Sequence, residues 1–251
     1  NEIIECNSLV LAIGHSARDT FYMLNNYLSL VPKPFAIGVR IEHPQELISK
    51  NQYGPSYKYL SPANYKLTYQ TSKKRGVYSF CMCPGGFVVN ASSEEGHLAI
   101  NGMSNYKRNE KNANSALVVT VTPNDFGNNP LSGIEYQRKL EKLAYEKGNG
   151  NIPLQLYKDF KENKLSTKFQ DFTPCMKGSY TFANLNEILP EYITEALKEA
   201  IPEFNKKIKG YSNDNVILSA IESRTSSPIR ITRNDSGISS IKGIYPCGEG
   251  A

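Results

Sequence analysis

No stretch of 18 apolar residues occurs in the 251-residue sequence, so an ordinary membrane-spanning helix is excluded. The first residues, NEIIECNSLV, lack a basic segment followed by a long apolar one, and no signal peptide is visible. Cysteine is sparse and odd in number: five residues, at 6, 81, 83, 175 and 247. A secreted disulfide framework shows a denser, even set, so reduced thiols and a cytoplasmic location are expected. Histidine is sparser still. His15, His43 and His97 are too dispersed for a ligand set, no Ser-His-Asp order can be read, and no second Cys/His pair suits zinc. No complete G-x-G-x-x-G occurs, and neither an internal repeat nor a low-complexity tract is found. The excess of Lys and Arg (29) over Asp and Glu (24) is only +5, too diffuse to argue for nucleic acid.

What is present is enough for a sizeable core: 39% hydrophobic residues and 10% aromatics, in a chain of one large domain or two small ones. Residues 8–13 (SLVLAI) predict a fully buried strand ending at Gly14. A helix should follow, with Ala17, Phe21, Leu24 and Leu28 on one face and Ser16 as N-cap. Residues 35–42 alternate as a strand, with a short helix after Pro44. From Tyr65 to Ile100, four short strands with Gly- and Pro-bearing separators predict an antiparallel meander. Residues 116–122 predict a central strand, 131–147 a helix ending at Gly148, and 157–162 another. A charged helix over 190–209 should break near Pro202. Strands are expected at 216–221, 228–233 and 241–246, and the Asn-rich segments 105–114 and 124–129 read as solvated loops. The expected class is α/β with α+β character: an outer α/β layer interrupted by an inserted antiparallel sheet with helices.

Four segments have chemical potential. In GIYPCGEGA a strand runs into Gly248-Glu249-Gly250, where glycines let backbone approach an anion. LVLAIGHSARD likewise ends a strand in Gly14 and His15, although an ordinary strand–helix turn explains it equally well. In FCMCPGGFVVN a regular strand would put Cys81 and Cys83 side by side, and Pro84-Gly85-Gly86 would expose backbone. A redox dithiol needs a lowered thiol pKa; two packed thiols are the plainer alternative. In ESRTSSPIRITR, Arg224, Arg230 and Arg233 flank a Ser/Thr cluster, suited to a carboxylate or phosphate or forming a solvated strand edge.

In order, LVLAIGHSARDTFYML, KPFAIGVRIEHPQ, YSFCMCPGGFVVNASSEEG, NGMS with NSALVV, ESRTSSPIRITR and GIYPCGEGA resemble the bacterial FAD-dependent, or NAD-utilising, dehydrogenases, similar in layout to the two-dinucleotide-binding flavoproteins. The resemblance spans roughly residues 8–251. It implies a Rossmann-like FAD-binding domain assembled from separated segments, with 1–34 and 235–251 as its remnant and 35–234 as an inserted substrate domain. The Gly-rich FAD motif would precede residue 1, so both ends read as interior to a longer protein. FAD is expected in the full-length protein, weakly bound or absent here, with NAD(P)H as electron donor and a small, anionic substrate. The resemblance places Gly14, His15, Pro84, Gly85, Gly86, Gly248, Glu249 and Gly250 at the cofactor, and Cys81, Cys83, Arg224 and Arg230 in catalysis. A non-catalytic module binding an acidic small molecule or a protein partner is the alternative. An RNA-modifying flavoprotein is disfavoured by the modest charge.

Overall fold

Short apolar runs punctuated by Gly and Pro give many short strands, and the structure, a computed structural model describing residues 2–251, contains fourteen strands and six α-helices among them. In chain order these are β1 (Leu9–Leu11), α1 (Arg18–Leu24), β2 (Leu30–Pro32), β3 (Phe35–Pro44), α2 (Gln45–Tyr53), β4 (Thr68–Gln70), β5 (Gly76–Cys83), β6 (Gly86–Asn90) and β7 (Ile100–Ser104). Then come β8 (Asn112–Val121), α3 (Pro123–Phe126), α4 (Ser132–Lys147), β9 (Ile152–Leu156), α5 (Tyr157–Glu162), β10 (Met176–Lys177), β11 (Tyr180–Phe182), α6 (Glu191–Asn205), β12 (Ile217–Glu222), β13 (Ile229–Ile231) and β14 (Ile244–Pro246). The mixed α/β class is as the residue patterns predict. No helix among the described residues is long and apolar enough to cross a membrane.

The chain divides into two compact units. The first combines residues through Ala36 with Val121–Arg138 and Arg224–Ala251; the second combines Ile37–Thr120 with Lys139–Ser223. The first unit is thus larger than the outer segments delimited from sequence, taking in 121–138 and 224–234 as well.

In the first unit β1 and β14 pair in parallel, Leu9 with Ile244 and Leu11 with Pro246. The bonds Leu9 N–H to the Gly243 carbonyl (2.8 Å) and Cys247 N–H to the Leu11 carbonyl (3.1 Å) close both ends of the pair. An antiparallel pair, β2 with β13, adds Leu30, Ile229 and Ile231 to a core with Phe21, Leu24, Leu28 and Ile134. The expectation that β1 is fully buried is corrected: Leu9 is 45% and Val10 65% exposed. A two-stranded sheet leaves one flank of β1 without a neighbour. Ser16 is not the N-cap of α1. Ala17 takes that position without a side-chain cap, and the Ser16 carbonyl accepts the Arg18 N–H (2.9 Å).

The second unit is built on a seven-stranded sheet of order β11-β9-β12-β3-β8-β5-β4. Its central strands β3 and β8 are buried at nearly every position, as strands covered on both faces must be. Their backbones approach closely at Gly38, where a Cβ would lie 2.0 Å from the Leu117 carbonyl oxygen. The expected meander is divided. β4 and β5 join the large sheet, while β6 and β7 form a separate sheet with β10. The chain changes sheets at Pro84-Gly85, where Gly85 takes a left-handed φ of 45°. Asn112 and Asn114 are buried in β8, not in a solvated loop: on the neighbouring strand β3, Glu42 accepts from the Asn112 amide and Arg40 donates to the Asn114 amide oxygen. Pro202 lies inside α6 without ending it. Burial of Ile193, Leu197, Ala200, Ile201 and Phe204 along the helix outweighs a helix-interior cost of about 3 kcal/mol.

Candidate functional site

Parallel strands that end side by side expose their final N–H groups at one edge, the place where open α/β sheets receive ligands. β1 and β14 end this way. Gly14 (φ 71°) follows the first and Gly248 (φ 76°) the second, and at neither position does anything lie within 4 Å of where a Cβ would stand. Glu249 follows Gly248. Its carboxylate accepts the Ser227 N–H (2.7 Å) and pairs with Lys33 (2.9 Å). Partial burial pushes its pKa up, but the Ser227 amide, Lys33 and the nearby His15 outweigh that and hold it below the usual value. Glu249 is therefore an ionised acceptor at neutral pH. The Ser16 hydroxyl lies 3.3 Å from His15 Nδ1 and 3.5 Å from Arg224 Nη1. Gly14, His15, Ser16, Arg224, Gly248 and Glu249 thus belong to turns of one unit.

Gly250 and Arg230 differ from expectation. The Gly250 carbonyl accepts the Ile231 N–H (2.9 Å), and a Cβ at Gly250 would meet the Phe21 ring at 3.1 Å, so core packing already requires glycine there. Arg230 sits on β13 between buried Ile229 and Ile231, with its side chain exposed. It is a solvated strand position, as period-two alternation dictates. Arg233 instead donates to the Pro246 carbonyl (2.6 Å), securing the end of β14.

The Cys81–Gly86 segment lies in the second unit around a residue that the motifs do not single out. Arg40, on β3, is fully buried. Its Nε bonds Glu222 (2.8 Å), Nη1 bonds Asn114 Oδ1 (2.9 Å) and the Cys81 carbonyl (3.0 Å), and Nη2 bonds Asn101 Oδ1 (2.9 Å). Gly102 makes room for it, since a Cβ there would fall 2.1 Å from Nη1. Oxygen acceptors from four chain segments thus converge on the guanidinium fork.

This arrangement corrects the regular-strand picture of the two thiols. The β5–β8 register shifts between Phe80 and Cys83, and Cys81 takes a left-handed φ of 41°. A bulge of this kind breaks the same-face rule for i and i+2. Cys83 Sγ donates to the Cys81 carbonyl (3.3 Å). Burial raises both thiol pKa values, and the Arg40 charge opposes this only in part. The thiol, not the thiolate, is favoured, which does not suit a redox dithiol. All five cysteines are free. The expected exposure of backbone at Pro84-Gly85-Gly86 is also corrected. A Cβ at Gly85 would fall 2.0 Å from the Arg108 carbonyl oxygen, and one at Gly86 2.4 Å from that of Met103. The Pro84 carbonyl accepts the Ser104 hydroxyl (2.7 Å). These glycines accommodate the chain's own backbone.

Glu42, two residues beyond Arg40 and fully buried, was also invisible to motif reading. Burial pushes its pKa up to about 7, while bonds from Asn112 (3.0 Å) and the Cys175 N–H (2.8 Å) pull it back. Both bonds fall on one carboxylate oxygen, and Oε1 has no partner among the described residues. The signal that could have found Arg40 and Glu42 is charge at alternate positions of an otherwise apolar strand.

The chain is a mixed α/β fold in which one pair of parallel strands is followed by open glycine turns. Residues 34–225 match the family model described as FAD-dependent protein, C-terminal domain-like, and the chain belongs to that family. β1, α1 and β14 lie outside the matched range. The chain is 56% identical over 256 residues to a protein of Clostridium beijerinckii described as "Uncharacterized protein". The match covers 99% of this chain and 48% of that protein, so the chain spans about half the length of this relative.

Proposed function

We propose that this chain is part of an FAD-dependent oxidoreductase, with the first unit contributing to the cofactor site and the second serving as the substrate domain. The observation that carries the reading is the parallel pairing of β1 with β14, each ending in a glycine with a left-handed backbone and open space beside it. The residues fit a dinucleotide: the glycine turns offer backbone N–H groups, and the ionised Glu249 offers an acceptor for sugar or ribityl hydroxyls. FAD supplies hydride and electron transfer when bound. The chain's own residues bind and orient: Glu249 is fixed by Lys33 and Ser227, and Arg224 supplies a donor fork for an anionic group.

Substitution in the longer protein, with its flavin read by visible absorbance, tests this. Gly14→Val or Gly248→Val should lower flavin retention about tenfold or more, a loss of at least about 1.4 kcal/mol of binding. Gly237→Val is the control, since Gly237 has a similar φ of 77° and equally open surroundings. It imposes the same backbone strain elsewhere and should leave flavin in place. Equal retention in all three would remove the turns from the cofactor site. A colourless parent protein with an intact fold would favour a non-catalytic binding module. The donor is identified by adding NADH and NADPH separately to the flavin-loaded protein.

A further inference from the structure

Among the cavities that open on the second unit, one presents two neighbouring cations with no carboxylate in its lining. Beside α6, Lys73 is paired with Glu195 (2.6 Å), Glu199 accepts the Ser72 N–H (2.7 Å), and Arg75 lies 4.1 Å from the Tyr192 ring centroid. The cavity near α5 sets one cation, Lys158, among two carboxylates: Asp214, which pairs with Lys161 (2.8 Å), and Asp171, which accepts from Asn215 (2.6 Å). The third cavity, about 490 Å³, is lined by Ser61, Ser104, Asn105, Tyr106, Lys107 and Arg108. There the Lys107 and Arg108 side chains are exposed and bond no group among the described residues, and Tyr106 is fully exposed.

The loop carrying these side chains is fixed from below. Ser104 Oγ donates to the Pro84 carbonyl (2.7 Å), and the Asn105 amide donates to Glu110 (3.2 Å). The Arg108 N–H returns to the Asn105 carbonyl (3.0 Å), and the Glu110 N–H to the Gly85 carbonyl (3.3 Å). Arg108 is held in the left-handed region (φ 49°), unusual for a residue with a side chain. Its carbonyl fills the space that Gly85 leaves for want of a Cβ. The Pro84-Gly85 turn is thus the footing of a rigid loop, and two adjacent cations are presented with little left to lose in backbone freedom.

Unpaired Lys and Arg on a fixed backbone recognise phosphate, Arg through its fork and Lys as a point charge. A fully exposed tyrosine beside them is a stacking face for a planar ring, and the Ser61 hydroxyl in the same lining can bond a sugar hydroxyl. We infer that this cavity binds a nucleoside monophosphate, with its phosphate on Lys107 and Arg108 and its base against Tyr106. The inference concerns the second unit alone and does not depend on flavin binding by the first.

The test is isothermal titration of the chain at low salt with AMP, adenosine and inorganic phosphate. AMP should bind about tenfold more tightly than either half. The double variant Lys107→Gln/Arg108→Gln should weaken AMP about tenfold or more, and Tyr106→Ala should weaken AMP while leaving phosphate unchanged. These side chains are exposed, so unchanged thermal unfolding verifies that each variant is folded. AMP binding that is lost in Gly248→Val and kept in the Lys107→Gln/Arg108→Gln variant would place the nucleotide at the glycine turns and overturn the inference. Absence of AMP binding, AMP binding no tighter than phosphate, or unchanged affinity in the double variant would each overturn the inference.

Discussion

Replacing Arg40 by Ala should lower the unfolding free energy by about 3–5 kcal/mol, the cost of removing one partner of a buried ion pair. The estimate is large because the guanidinium is fully buried and has four oxygen partners within 3.0 Å. Its removal leaves the Glu222 carboxylate buried without its cation. It also strands the buried Asn114 amide oxygen, about 1–3 kcal/mol to leave unsatisfied if water does not enter. Burial already raises the Glu222 pKa against the pull of Arg40, so loss of Arg40 should drive that carboxyl further towards its neutral form. The double variant Arg40→Met/Glu222→Leu should lose less than Arg40→Ala, because two apolar groups replace the pair together. Urea unfolding at pH 7 measures both. A single variant within about 0.5 kcal/mol of the parent would mean that the pair holds nothing in place.

The second large effect is a pair of opposed pH dependences from adjacent residues. Burial raises Glu42 from 4.5 to about 7, so between those values the folded chain keeps a proton that the unfolded chain has lost. Stability from Glu42 therefore falls as pH rises through that window, by about 3 kcal/mol at roughly 1.4 kcal/mol per pH unit. Burial lowers His43 from 6.5 to about 4, against the pull of its bond to the Tyr211 carbonyl (2.9 Å). Between those values the folded chain lacks a proton that the unfolded chain holds, so stability from His43 is lost as pH falls through that window. The two slopes nearly cancel between pH 4.5 and 6.5. Single variants uncover them. Glu42→Gln should show stability rising from pH 4 to 6.5, and His43→Gln should show it falling from 4.5 to 7. Urea midpoints across this range decide the matter, and parallel profiles in the two variants would refute it.

These residues mark where sequence reading stops. β3, the second half of β8 and α4 are legible from local pattern: alternation over 35–42, continuous apolar content over 116–121, and 3.6-residue spacing for the helix. The glycine exits of β1 and β14 are also legible, since only glycine readily takes a left-handed turn after a strand. The Arg40–Glu222 bond is not, because it joins residues 182 positions apart through strand pairing. The bulge at Cys81, whose carbonyl accepts from Arg40 (3.0 Å), breaks period two, so period-two reasoning misplaces the thiols. Asn112 and Asn114 look like loop residues by composition and become strand residues, the Asn112 amide donating to Glu42 and the Asn114 amide oxygen accepting from Arg40. β9 carries Pro153 and Gln155 in a short run, which hides a strand that pairs with both β11 and β12.

The central claim is that the paired strands β1 and β14 contribute to an FAD site. It is tested most directly by heat-denaturing the longer protein after purification and identifying any released chromophore by mass. The account expects FAD, close to one per chain. A folded protein that releases FMN, or no flavin at all even after incubation with FAD, would contradict it.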